Sequence, residues 1–126
     1  MKISQGIDIA SIKRLERLMK KGGARFRQKV FSPAEIRYCE SKRFKYEHYA
    51  ARFAAKEAVM KALNLEGKDT YRFREIEIRR TPTGKPCVHF SPAARKAFGL
   101  PKKYRLEISL THERDWAIAT AILILS

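Results

Sequence analysis

The sequence predicts an α+β fold, with helices packed on an antiparallel sheet. Three observations carry that expectation. Segments with strand and helix periodicity alternate along the chain. The later strand-like segments come in neighbouring pairs joined by short turns, as hairpins do. No regular helix separates every two strands, which a parallel doubly wound sheet would need. At 126 residues the chain fits a single domain, residues 1–126.

Residues 2 to 9 read as the first strand, with Ile3, Ile7 and Ile9 apolar and Gly6 ahead of Asp8. Ser11 then suits a helix N-cap, and Ile12, Leu15, Leu18 and Met19 recur at helical spacing. The run Lys20-Lys21-Gly22-Gly23 reads as the end of that helix. In FSPAEIRYCE, Ser32 caps a second helix, Pro33 takes its first position, and Glu35 completes a capping box. A long helix follows from about Tyr46 to Leu65, with Gly67 just past it. YRFREIEIRR alternates apolar and charged residues and reads as a strand. TPTGKP is a turn, CVHF a returning strand, and SPAARKAFGL a further Ser-Pro helix start. YRLEISLTH and WAIATAILIL close the fold as two strands around a turn near Glu113-Arg114.

The formal net charge of +15 predicts a polyanionic partner. Nucleic acid, an anionic membrane, a phosphorylated small molecule and an acidic protein all satisfy it. Cys39 and Cys87 lack metal-ligand spacing and fit a reduced, intracellular setting. The first residues have no apolar core of a signal peptide, and no apolar run is long enough for a membrane span.

Residues 52 to 63, RFAAKEAVMKAL, concentrate the functional signal. At about 100° per residue, Tyr49, Phe53, Val59, Met60 and Leu63 fall within an arc of roughly 120°, a core-facing stripe. Arg52 and Lys56 fall inside that arc, and Glu57 lies at its edge, one turn from Lys61. Two explanations compete. The cations snorkel from a half-buried face while Glu57 and Lys61 form an i,i+4 pair worth ~0.3 kcal/mol. Alternatively the stripe borders a cleft, where cations meet phosphates and the carboxylate holds a metal. Asp8 is open to a similar choice between a capping role and a ligand role. Strand alternation turns it away from the face shared by Ile7 and Ile9. A second oxygen ligand from a distant segment is what Mg²⁺ on a diphosphate needs, since the ion takes few protein carboxylates.

GIDIASIKRL, FSPAE, RFAAKEAVMKAL, GKP and ISLTH occur in that order. Together they resemble the short bacterial type of 4′-phosphopantetheinyl transferase, the holo-[acyl-carrier-protein] synthase family, over nearly the whole chain. Ser32 and Pro33 depart from that family's FTxxE pattern. The resemblance implies transfer of 4′-phosphopantetheine from coenzyme A to a serine of apo acyl carrier protein, leaving adenosine 3′,5′-bisphosphate. It implies a cytoplasmic homotrimer with active sites between subunits. It also implies roles: Asp8 and Glu57 as Mg²⁺ ligands, with Lys61 beside them as the third catalytic residue. Arg52, Lys61, Gly84, Lys85, Pro86 and His112 would contact coenzyme A, and Arg14 the carrier protein.

The chemistry is consistent with those residue types. Attack on a diphosphate crowds negative charge, which a divalent ion and a lysine offset. Carrier proteins are acidic, and the helix bearing Lys13, Arg14, Arg17, Lys20 and Lys21 would steer them, so the charge needs neither nucleic acid nor membrane. His112 has a simpler reading as a strand-end histidine, and Lys85 as a solvated turn residue. The rival from another class is a small basic nucleic-acid-binding module drawing on Tyr46, Tyr49, Phe53 and Tyr71; no RNP-type, GXXG or zinc pattern supports it. A transferase acting on other carrier domains is the nearer rival.

Overall fold

The computed structural model describes residues 1–65 and 70–126. Strand β1 (Lys2–Ser11) leads into helix α1 (Ile12–Val30), α2 (Pro33–Glu40) and α3 (Lys45–Ala62). A 3₁₀ segment (Thr70–Glu75) precedes the hairpin β2 (Ile76–Arg80) and β3 (Pro86–Phe90). Helix α4 (Pro92–Ala97) and strands β4 (Tyr104–His112) and β5 (Trp116–Leu125) complete the chain. The α+β class with antiparallel pairing holds, but the strands form two sheets: a three-stranded one in the order β1-β5-β4, and the separate β2-β3 hairpin.

The serine caps sit where the sequence places them. Ser11 Oγ accepts from Arg14 N at 3.2 Å and Ser91 Oγ from Ala94 N at 3.1 Å. Ser32 and Glu35 form the full capping box, each side chain accepting from the other's backbone N–H.

Three boundaries differ. Gly22-Gly23 does not stop α1: the chain kinks at Gly23 (φ 60°, ψ −148°) and helical structure resumes to Val30. The long helix ends at Ala62, and the expectation for Gly67 lies outside the described residues. The alternating segment before β2 begins as a 3₁₀ turn, so only its second half is strand. Among the described residues no helix is long and apolar enough to cross a membrane.

Helix α3 packs across one face of the three-stranded sheet, and small residues make that approach possible. Ala54, Ala58 and Ala62 on the helix and Ala117, Ala119 and Ala121 on β5 are all buried. Gly6 on β1 is required there: a Cβ at that position would lie 2.0 Å from Ala58 O. Most of the bulky residues of these strands point the other way, Leu123 excepted. Ile3, Ile7, Ile9 and Trp116 are 64%, 57%, 57% and 52% exposed. Antiparallel register sets Ile9 opposite Ile118 and Ile3 opposite Ile124, with Ile7 beside Thr120 and Gln5 beside Ile122 between them, so the outer face is largely apolar.

Lys56 does not snorkel. It is fully buried, with Nζ 2.7 Å from Glu35 Oε1 and donating to Phe73 O (2.8 Å) and Ile76 O (2.7 Å). Three acceptors match the three N–H bonds of an ammonium. Burial pulls its pKa down, and the Glu35 carboxylate opposes that pull. Glu35 Oε2 also accepts from Ile78 N at 2.9 Å. This pair therefore ties α2, α3 and the start of β2 together, beyond the capping role that the sequence suggests for Glu35.

Candidate active site

The end of β1, the start of α1 and the middle of α3 enclose an open cleft of about 710 Å³. Asp8, Arg14, Glu57 and Lys61 all line it. Asp8 reaches it because alternation turns its side chain toward α3, away from the exposed isoleucines. Glu57 and Lys61 reach it because they lie one helical turn apart on the α3 side that faces β1. Lys61 Nζ donates to Ile7 O at 2.9 Å and lies 3.3 Å from Asp8 Oδ1. Its ammonium is therefore anchored at the strand while much of the side chain stays open to the cleft.

Burial raises the Glu57 pKa, and the nearby Asp8 carboxylate raises it further, while Lys61 opposes both. Two carboxylates thus compete for one ammonium at the same place. That donor set fits a hard divalent ion: two carboxylates as oxygen ligands and an open side for water and phosphate oxygens. Among the described residues no cluster of three or more His, Cys, Asp or Glu could hold a metal, so any such ion would rest on few protein ligands.

The cleft's walls were not singled out in the sequence. Phe53, Leu18, Ile9 and Trp116 line it beside Arg17. Leu18 and Phe53 share the helical periodicity of core residues, so nothing in the sequence separates them from the core.

Arg52 lies elsewhere. It lines a second cleft, of about 600 Å³, with Arg37, Tyr38, Arg79 and Arg80. It is only 3% exposed, and its Nε has no hydrogen-bond partner among the described residues. Five residues separate it from Glu57, about 140° around the helix, so the two side chains leave α3 on different sides. Gly84, Lys85 and Pro86 sit at the β2-β3 turn, where Gly84 has φ 90°. Gly84 O accepts from Arg80 Nη1 at 2.8 Å, and Lys85 Nζ pairs with Glu107 at 2.9 Å. His112 ends β4, with Nδ1 3.6 Å from Glu47 Oε2 and its ring 5.4 Å from that of His48. One chain thus brings together Asp8, Glu57, Lys61 and Arg14, and sets Arg52, the 84–86 turn and His112 outside that cleft.

The family model for the 4′-phosphopantetheinyl transferase superfamily matches residues 4–121. The chain belongs to that superfamily. As a 4′-phosphopantetheinyl transferase superfamily member it is 41% identical over 124 residues to the holo-[acyl-carrier-protein] synthase of Ruminiclostridium cellulolyticum, an alignment covering 98% of this chain and 92% of that protein. Its fold matches the holo-[acyl-carrier-protein] synthase of Neisseria meningitidis with a TM-score of 0.86 at 32% identity, covering 97% of this chain and 98% of that one. The Helicobacter pylori synthase, solved in complex with coenzyme A, matches with a TM-score of 0.79 at 32% identity, covering 95% and 99%.

Proposed function

We propose that this chain is a holo-[acyl-carrier-protein] synthase. It transfers 4′-phosphopantetheine from coenzyme A to a serine of apo acyl carrier protein and releases adenosine 3′,5′-bisphosphate. The observation that carries the assignment of roles is the convergence of Asp8, Glu57 and Lys61 on one cleft.

Asp8 and Glu57 would hold Mg²⁺ there, and the chemistry it supplies is neutralisation of charge on the diphosphate. Lys61, held by Ile7 O and Asp8, offers N–H donors to the phosphate that leaves. In the reaction the serine hydroxyl gives up its proton to solvent as its oxygen bonds to the β-phosphorus, the bond from that phosphorus to the bridging oxygen breaks, and the bisphosphate departs with the electron pair. Arg14, at the mouth of the cleft on the basic helix α1, faces the carrier protein.

Arg52, Lys61, the Gly84-Lys85-Pro86 turn and His112 contact coenzyme A in this reading. The Nε of a buried Arg52, without a hydrogen-bond partner among the described residues, supports an anion arriving from outside. Since Arg52 and Glu57 leave α3 on different sides, one coenzyme would reach both only between copies of the chain. The exposed apolar face of β1 and β5 supports the same arrangement, a homotrimer, because so large an apolar surface is covered in a stable protein. Residues 1–126 act as one domain, in the cytoplasm.

The test is intact-mass analysis of apo acyl carrier protein incubated with this protein, coenzyme A and Mg²⁺. The expected result is a gain of ~340 Da, one phosphopantetheine group, that is lost when the metal is chelated. An unmodified carrier, together with oligonucleotide retardation in the absence of Mg²⁺, would instead favour a nucleic-acid-binding module.

A further inference from the structure

We propose that Tyr38 is a positioning residue for coenzyme A, its ring serving as the platform that holds the Arg52 guanidinium in place. The inference rests on Arg52 being a coenzyme contact, as argued above.

The Arg52 guanidinium carbon lies 3.9 Å from the centre of the Tyr38 ring, within the range of a face contact. The same ring gathers other cations. Arg80 stands at 5.5 Å and Lys42 Nζ at 4.8 Å, with the His48 ring edge-on at 5.8 Å. Residues from α3, β2 and the segment between α2 and α3 thus converge on one aromatic side chain of α2. Arg80 also donates to Gly84 O, so the ring links Arg52 to the 84–86 turn.

An arginine this deeply buried is costly unless something holds and compensates it. A carboxylate in the same position would neutralise the cation and compete with an incoming phosphate. A ring face does neither: it attracts the guanidinium while leaving its N–H fork free for a bidentate acceptor. The platform itself is rigid. Tyr38 sits in the last turn of α2, whose start is fixed by the Ser32–Glu35 capping box and by the Glu35–Lys56 pair.

Steady-state kinetics of the intact enzyme with coenzyme A and apo carrier protein tests this. Tyr38→Leu is expected to raise KM for coenzyme A about five- to tenfold, the scale of a lost partly desolvated cation–π contact, with kcat and KM for the carrier within twofold. Tyr38→Phe keeps the ring and is expected to behave as wild type. In an Arg52→Ala background, Tyr38→Leu is expected to add nothing, because its effect passes through Arg52. An unchanged KM, an equal rise for both substrates, or independent addition of the two substitutions overturns the proposal. If Tyr38→Leu does not fold, Arg52→Lys decides: it keeps the charge, loses the planar stack and is expected to match Arg52→Ala, whereas a wild-type KM overturns the platform. A wild-type KM in Arg52→Ala itself would instead remove Arg52 from the coenzyme site, a separate failure.

Discussion

Glu57 and Lys61 meet Asp8 at the junction of one helix and one strand, and charge of both signs is held there. Asp8→Ala and Glu57→Ala are each expected to lower Mg²⁺-dependent turnover by at least a hundredfold while leaving the circular dichroism spectrum unchanged, as expected for groups that stabilise developing charge. Near-normal turnover in either variant would reject the metal-site assignment. Arg14→Ala is expected to raise KM for the carrier protein several-fold at low salt, and less at high salt, without weakening coenzyme A; kinetics at two ionic strengths checks it. Lys56→Ala leaves Glu35 and two backbone carbonyls buried without a cation, which is expected to cost about 3–5 kcal/mol in chemical denaturation. These residues were unevenly legible. Strand alternation puts Asp8 on the face opposite Ile7 and Ile9, and helix phase puts Glu57 at the edge of the core stripe. Helix phase also shows Lys56 inside that stripe, but not its partner, because Glu35 lies on another helix and already has a local explanation as a cap.

Helix α3 approaches β1 closely enough that one methyl group decides the spacing. Gly6→Ala is expected to destabilise the fold by about 1–3 kcal/mol, since the added carbon meets backbone that cannot rotate away. It is also expected to reduce turnover, because Asp8 lies two residues further along the same strand. Thermal melting and kinetics of the one variant measure both. The caps of α1, α2 and α4 were readable because each is a local signal of four residues. The 3₁₀ turn before β2 was not: Tyr71 and Phe73 alternate in one phase and Ile76 and Ile78 in the other, and the phase change between them, easily missed in the sequence, is where the strand begins. Gly22-Gly23 likewise looks like a terminator. A glycine with positive φ ends a helix in isolation, whereas here the following residues up to Val30 regain helical geometry.

At the scale of the whole molecule, the usual layering is reversed over much of β1 and β5: small residues face the helix and isoleucines face outward, while Leu123 and, on β4, Ile108 stay inside. Ile118→Lys, placed on that outer face, is expected to convert a species of three chains into single chains by light scattering, and to reduce turnover with it. A wild-type protein that runs as a single chain at micromolar concentration would count against sites shared between copies. The sequence displays the alternation but not its sense. Small and large apolar residues both read as core, and only the packing of α3 on Gly6 and Ala121 reveals which set is inside.

That reversal has a consequence for how the chain can drift. At Ala117, Ala119 and Ala121 a lone subunit rejects any gain in volume. At Ile7 and Ile122 it has open space and accepts almost any side chain. Selection on the outer positions would therefore come from the neighbouring copies alone, and a saturation library sorted first for soluble expression and then for turnover would separate the two sets.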